Sequence, residues 1–444
     1  MRTKRLPRDP GPAGWDRLLP TRRANAALEG AIEADWLVIG AGFAGLGAVR
    51  RLAELNPGDR IVLLEATHVG SGPAGRNSGF MIDLPHDITS EDYGGDFARD
   101  RAQIAANRHA ISFATRMAEE FELGRDVFNP CGKINGAATA KGDRHNRRYA
   151  QHLRDLGEEH QILDQQDMAG ITGTTYYQSG LFTPGTVIIQ PAAFVRSVAG
   201  RLVSNRVTLF EDSPVTALEA VNGGWMAQTP AGSVRAGKVI LAVNGHLESF
   251  GFKPRQLMHV FTYASMTRAL TEDEVTRLGG NESWGITPAD PLGTTVRRIS
   301  GQGGHRIVIR NRFTYEPSLE VSDAALARIV ATHDRSFAAR FPMLDGVEME
   351  HRWGGRLCLT RNGVGVTEEL RPGLWAACVQ NGLGTVRGLL SGLVAAEAAS
   401  GQLSDIGRQV LAEEEPTRLP PKAIATLGAR AVLRWGEFRA GREL

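Results

Sequence analysis

Three glycines and one acid early in the chain carry the clearest chemical pattern. Residues Gly40, Ala41, Gly42, Phe43, Ala44 and Gly45 spell Gly-x-Gly-x-x-Gly. Glu65, followed by Ala66, stands about 20 residues further on. In such a motif the first glycine permits a tight exit from a strand. The second lets backbone approach a pyrophosphate where a Cβ would collide, and the third lets a helix lie close on its sheet. Free N–H groups at the helix start then face phosphate oxygens. A carboxylate at Glu65 bonds ribose hydroxyls and repels a 2′-phosphate, which disfavours NADP. These residues predict a dinucleotide site, and the motif alone leaves FAD and NAD both open.

The elements needed to hold the motif are present in order. Residues 36–39 form a short apolar run that reads as a buried parallel strand. Residues 46–55 carry apolar positions at helical spacing, with Arg50, Arg51 and Glu54 on the wet face. An Asn-Pro-Gly-Asp turn leads to a second buried strand over 61–64. The glycine-rich loop that follows ends in Gly75, Arg76, Asn77, Ser78 and Gly79, a stretch suited to wrapping something closely. Near the other end, an apolar strand over 374–380 runs into Asn381, Gly382, Leu383, Gly384 and Thr385 and then an alanine-rich helix. This is a second strand–glycine–helix junction offering free N–H groups.

Composition narrows the class. At 444 residues the chain exceeds one ordinary domain. With 42% hydrophobic and 23% charged residues it reads as globular. A formal net charge of +2 provides no broad basic surface for nucleic acid. Cys131, Cys358 and Cys378 are scattered, so neither a redox Cys-x-x-Cys nor a zinc knuckle is formed. The histidines show no metal-binding spacing, and no metal is expected. No apolar run reaches the roughly 18 residues that a membrane span needs. The first 12 residues, basic and proline-containing, lack the apolar core of a signal peptide and read as a flexible arm of a cytoplasmic protein. Trp15, Leu18 and Leu19 are able to tuck onto the body.

Between the two junctions, residues 92–121 and 143–156 read as helices, and 170–185 as strand and turn. Residues 206–210 read as a strand, 224–228 with 233–235 as a hairpin, and 238–243 as a buried strand stopping at Asn244 and Gly245. Residues 260–267, 295–299 and 306–310 alternate in strand fashion and predict an antiparallel sheet, wet on one face. A helix is expected over 323–341.

Five features in sequence, the first glycine motif with Glu65, the Gly-Arg76-Asn77-Ser78-Gly79 loop, the Asn244-Gly245 strand end, Trp353-x-Gly355 and the Gly382-x-Gly384 helix start, resemble the FAD-dependent D-amino-acid-oxidase superfamily. Glycine oxidase, sarcosine oxidase and gamma-glutamylputrescine oxidoreductase belong to it, and the resemblance covers about residues 35–400. It implies an α/β fold, α+β overall. The parts would be a Rossmann-like FAD-binding domain and a discontinuous, mainly antiparallel-sheet substrate domain. On this basis residues 1–34 are an N-terminal arm. Residues 35–90, 191–250 and 351–401 are three parts of the FAD-binding domain. Residues 91–190 are a helical insertion of the substrate domain, 251–350 its sheet, and 402–444 a surface appendage.

The resemblance also implies roles. Gly40, Gly42 and Gly45 fall at the pyrophosphate, Glu65 at the ribose, the 70s loop beside the flavin, and Val215 at adenine. Gly382, Gly384 and Thr385 fall at the pyrimidine edge, where a helix N-terminus stabilises the anionic reduced ring. Arg76 and Asn77 occupy the place of the histidine that binds FAD covalently in some members, and Cys358 is only near the place of a flavin-bearing cysteine. Non-covalent FAD is therefore expected.

The implied chemistry is hydride transfer from a C–H next to nitrogen to flavin N5, with hydrolysis of the resulting imine. No triad or metal cluster is required. Arg310, Arg312 and Arg356 are candidate clamps for an anionic group. His259 and Tyr263, four apart on one strand, share a face and are candidates to point into the pocket. Arg76 and Lys133 are candidates for the positive group that governs oxygen reactivity. The substrate expected is a small amine or amino acid, with an oligomer or partner subunit possible. A hydroxy-acid dehydrogenase, a monooxygenase and a flavin-binding subunit of a larger dehydrogenase are the alternative functions.

Overall fold

The computed structural model describes residues 1–85 and 95–444. Its first sheet has a parallel core in the order Leu374–Cys378, Gly232–Leu241, Gly30–Ile39, Ile61–Leu64, Val207–Phe210. Residues 36–39 and 61–64 are buried throughout. That is why they lack the polar alternation of a half-exposed strand. Gly232–Leu241 is one continuous strand rather than a hairpin arm and a separate strand. Its first half pairs with antiparallel Gly224–Gln228 and its second half with Leu374–Cys378.

Two helices pack together on this sheet, Phe43–Leu55 and Val386–Ala399. Glycine makes the contact possible. A Cβ on Gly392 would stand 1.9 Å from the Ala44 carbonyl oxygen, and one on Gly47 2.9 Å from that of Leu389. Both helices follow strands of the parallel core and start at the carboxyl ends of those strands, where open α/β sheets bind ligands.

The second sheet runs Met349–Leu359, Met258–Thr267, Arg306–Tyr315, Thr295–Ile299, Trp284–Pro288, Lys133–Ala137, Ser179–Thr183, Gln161–Leu163. All neighbours are antiparallel except Trp284–Pro288 with Lys133–Ala137. Residues 351–359, expected to return to the nucleotide domain, thus belong to an edge strand of this sheet. The sheet is not wet on one face. Ile307 and Ile309 pack with Phe337 and Phe341 on one side. Val308, Met266 and Trp353 pack with Trp15 on the other. Thr295–Ile299 and Trp284–Pro288 are consequently buried along their whole length.

Three local expectations are revised, and one falls partly outside the described residues. The Asp92 start of the first long helix lies outside the described residues; the helix runs Phe97–Glu120, with Asp96 accepting from the N–H groups of Ala98 and Arg99. Residues 170–172 close the helix Gln165–Thr172, where an Asp164 capping box outweighs the local strand preference.

The N-terminal arm is pinned, not loose. Thr3 and Lys4 N–H groups donate to Thr216 and Ser249 carbonyls. Trp15 is fully buried, donates Nε1–H to the Asn77 carbonyl at 2.9 Å and meets the Trp353 ring edge-on. The C-terminal segment is likewise tied in. Arg312 pairs with buried Glu437 at 2.8 Å, and Glu443 accepts from the N–H groups of Ala138 and Thr139. Single charged residues that find buried partners far away in sequence leave no local signature.

Candidate functional site

A single cavity runs between the carboxyl edge of the parallel core and the second sheet. Gly40, Ala41, Gly42, Phe43 and Ala44 line it at one helix start; Gly382, Leu383, Gly384 and Thr385 line it at the other. Two distant glycine-lined openings therefore share one space. Neither helix start carries a side-chain cap, which leaves first-turn N–H groups for a ligand.

The glycines divide by what surrounds them. Gly45 and Gly75 do not line the cavity. A Cβ on either would lie 1.8 Å from a carbonyl oxygen, of Gly40 and Gly70 respectively. They are packing requirements. At Gly42 a Cβ would meet only Ala74 Cβ at 3.5 Å, and at Gly382 and Gly384 nothing lies within 4 Å. At Gly42 and Gly384 neither a neighbouring atom nor backbone strain calls for glycine, so the space they keep open suits a ligand, whereas Gly382 also needs its glycine for φ +85°. Gly40 needs its glycine for backbone reasons as well, with φ +102° and the Ala242 carbonyl 2.6 Å from a built Cβ.

Both loops that leave the adjoining parallel strands are strained. Asn244 takes φ +47°, Val379 +60° and Asn381 +48°. A β-branched residue in the left-handed region is a true outlier, and such strain gathers at ligand sites. Asn244, Gly245 and Val215 line the cavity, as do Glu65 and Ala66. Glu65 accepts from the Ala41 N–H at 3.0 Å and from that of Thr67 at 3.1 Å. Burial raises its pKa against these hydrogen bonds.

In the 70s loop, Arg76, Asn77, Ser78 and Gly79 reach the cavity, but Arg76 has a structural task. Its guanidinium donates to the carbonyls of Ser71 at 2.6 Å, Pro10 at 2.9 Å and Gly354 at 3.1 Å, and to that of Gly11. It ties the N-terminal arm to the second sheet. Lys133 is buried beneath the cavity wall, donating to Asn135 Oδ1 and, at 3.2 Å, to Thr287 Oγ1. Burial lowers its pKa to about 8.

From the second sheet come Arg310, Tyr263, His259, Gly355 and Arg356, all in the lining. Arg310 reaches Ser78 Oγ at 3.3 Å. Arg312, two residues on, would share its face in a regular strand. It sits instead in a bulge with φ +61°, skipped by the register that pairs Asn311 with Tyr263 and Phe313 with Thr262, and pairs with Glu437. It is excluded as a clamp. Tyr263 is buried with its hydroxyl on Thr314 Oγ1 at 2.7 Å, and burial pushes its pKa up to about 12. His259 Nε2 is hydrogen-bonded to the Glu248 carboxylate at 2.9 Å. Arg356 donates to His246 Nε2 and to Asp9 Oδ2, the latter at 3.2 Å. Burial and the Arg356 charge lower the His246 pKa to about 3, so this imidazole is neutral at ordinary pH.

Sequence reasoning did not find the arm residues Thr3, Arg5 and Asp9, nor His246, Thr262, Thr287 and Leu319, in the lining. Nothing in the basic, proline-containing leader signals a cavity wall. Several lining groups await a partner: Asp9 Oδ1, Asn244 Oδ1, Thr262 Oγ1, His259 Nδ1 and Arg356 Nε are buried without one in the protein. Buried polar atoms of this kind are costly unless a ligand or water satisfies them. Open glycine positions, uncapped helix starts and orphan polar atoms together fit a nucleotide cofactor.

The family model for FAD dependent oxidoreductases, DAO, matches residues 35–398. This chain belongs to that family.

Among DAO-family relatives, "probable oxidoreductase OrdL" of Rhizobium meliloti (strain 1021) is 26% identical over 416 residues, covering 91% of this chain and 92% of that protein. The gamma-glutamylputrescine oxidoreductase of Escherichia coli (strain K12) is 24% identical over 351 residues, 75% of this chain and 76% of that one. In fold, the chain is similar to glycine oxidase from Geobacillus kaustophilus, with TM-score 0.70 and 17% identity, covering 86% of this chain and 99% of the other. It is also similar to L-amino acid deaminase from Proteus myxofaciens in complex with anthranilate, with TM-score 0.66 and 15% identity over 89% and 96%. The chain is thus an oxidoreductase of an FAD-dependent family with a mixed α/β fold. No helix among its described residues is long and apolar enough to cross a membrane.

Proposed function

We propose that this chain oxidises the C–N bond of a small amine or amino acid carrying an anionic group. The observation that carries the reading is the one cavity shared by both glycine-lined helix openings and by Arg310. Relatives whose names denote gamma-glutamylputrescine oxidoreductase, glycine oxidase and L-amino acid deaminase support the substrate class.

In this reading Gly40 to Ala44 approach the pyrophosphate and Glu65, with Ala66, receives the ribose. Val215 lies at adenine. Asn77, Ser78, Gly79, Asn244, Gly245 and Gly355 border the flavin, and Gly382 to Thr385 present N–H groups to its pyrimidine edge. When bound, FAD supplies the hydride acceptor for the carbon next to nitrogen.

The side chains then bind, orient and exclude water. Arg310 pairs the substrate's anionic group. Tyr263 walls the pocket, with its hydroxyl held by Thr314. Neutral His246 adds no positive charge to repel an amine and is no proton donor near pH 7. The amine binds unprotonated, so no side-chain base is needed. Attachment of FAD is non-covalent in this reading. Burial pushes the Cys358 thiol well above its usual pKa, so the thiolate nucleophile is scarce.

An anaerobic bleaching screen tests the proposal. The purified protein, loaded with FAD, is mixed with carboxylated amines, N-alkyl amino acids, plain amines and hydroxy acids. Bleaching by amines with an anionic group, and flavin released into the supernatant on acid precipitation, is expected. Bleaching only by hydroxy acids or by NADPH refutes the substrate class, and a pellet that stays yellow refutes non-covalent binding.

A further inference from the structure

The C-terminal helix Lys422–Ala440 is amphipathic in the reverse of the usual sense. Apart from half-buried Leu433, the face turned to the protein is mostly small or ionic. Gly436 packs on Leu292, and Glu437 holds Arg312 at 2.8 Å and accepts from the Phe313 N–H at 3.0 Å. The face turned outward is apolar: Ile424, Leu427 at 74% exposure, Val432, Trp435 at 62% and Phe438 at 77%. Trp435 and Phe438 stack on each other with ring centroids 5.8 Å apart. Contiguous exposed apolar surface of this kind marks an interaction site.

The charges beside the stripe identify what covers it. At 100° per residue, Arg430 and Arg434 flank it on one side, and Arg439 falls near its other edge, between Trp435 and Val432. All three are exposed, and none pairs with a carboxylate among the described residues. The helix's one acid, Glu437, is buried on the inner face. Two of the three acids just upstream are engaged elsewhere: Glu413 accepts from the Gly365 N–H, and Glu415 lies near Lys253; Glu414 is exposed, eight residues before the helix start. An aromatic and aliphatic stripe bordered by arginines fits an interfacial helix, with side chains in the acyl boundary and guanidinium groups among anionic headgroups. A second copy of the chain suits it less, because a two-fold contact would gather three guanidinium groups from each copy around one interface.

We propose that this helix docks the protein flat on an anionic lipid surface. The helix is held to the body at both ends. The Leu419 N–H donates to the Arg255 carbonyl at 2.6 Å, buried Glu443 accepts from Ala138 and Thr139, and the carbonyl of half-buried Leu444 accepts from the Thr294 hydroxyl. Docking therefore carries the whole protein to the membrane without a spanning segment.

The test is co-sedimentation of the full-length, FAD-loaded protein with vesicles of phosphatidylcholine containing phosphatidylglycerol, and with pure phosphatidylcholine, at low and high salt. The parent is expected to pellet with the anionic vesicles and to be released by salt. Trp435→Ser with Phe438→Ser should lower binding at least tenfold. Arg430→Gln, Arg434→Gln and Arg439→Gln together should lower it about a hundredfold, at about fivefold per arginine. These side chains point outward, so flavin content and Tm should match the parent. A parent that stays in the supernatant with anionic vesicles overturns the proposal, as does equal binding to zwitterionic ones. A dimer in light scattering that Trp435→Ser with Phe438→Ser dissociates, with no vesicle binding, assigns the stripe to a second copy instead.

Discussion

Replacing Gly42 and Gly45 one at a time by alanine separates holding the cofactor from packing the fold. A Cβ on Gly45 would lie 1.8 Å from the Gly40 carbonyl oxygen and 2.9 Å from its carbon. Backbone atoms cannot give way by so much without moving the helix. Overpacking of that kind costs about 3 kcal/mol, a fall in Tm of several degrees. At Gly42 the new methyl meets Ala74 Cβ at 3.5 Å, an ordinary contact, and φ is −86° with ψ −170°, a conformation any residue adopts. Apoprotein stability should change by no more than about 1 kcal/mol. The methyl nevertheless occupies the approach to the uncapped helix start. Loss of one charge-assisted hydrogen bond costs about 1.5–3 kcal/mol, which raises the FAD Kd by roughly ten- to over a hundredfold. Flavin-fluorescence titration of apoproteins gives Kd, and thermal melts of the same samples give Tm. The reasoning is refuted if Gly42→Ala binds FAD as tightly as the parent, or if its apoprotein melts as low as Gly45→Ala.

Three further outcomes are expected. Trp15→Ala should cost about 3–5 kcal/mol in chemical denaturation, because it empties a fully buried site against Trp353 and Arg297; a loss below about 1 kcal/mol would mean the arm packs little. Arg310→Gln should raise KM for an amine carrying a carboxylate about ten- to a hundredfold and leave an uncharged amine nearly unaffected, and an equal effect on both would remove Arg310 from substrate recognition. Lys133 governs a pH window. Its native pKa of about 8 lies below the ordinary 10.5, so between these values the unfolded chain holds a proton that the native state has lost. Stability then rises with pH across that window, by about 3 kcal/mol in all, and below pH 8 the cost of the buried charge is fully present. Denaturant midpoints of the parent minus those of Lys133→Met should show this slope, and parallel pH profiles would refute it.

What the sequence determined by itself is local. A strand, its glycine exit and the following helix are contiguous, so the motif at Gly40 to Gly45 with Glu65 and the one at Gly382 to Thr385 were both legible. So were the antiparallel pattern of residues 260–310 and the five-part order that resembles the DAO family. The separate jobs of the glycines were only half legible. The motif suggested that Gly45 packs and Gly42 leaves room, and the neighbouring atoms distinguish them.

The resemblance implied that both helix openings serve one FAD, but only the tertiary structure shows them facing one cavity, because that depends on Gly47 and Gly392 letting helices far apart in sequence touch backbone to backbone. Tertiary structure also decided that Arg310 reaches the cavity and Arg312 does not. A one-residue bulge reverses strand alternation without changing residue types. Arg76 and Arg356 looked like free cations in sequence, but their partners, Pro10, Gly11 and Asp9, lie on an arm whose composition carries no packing signal. Long-range pairing of single polar residues is set by where the whole chain folds, and no window of sequence records it.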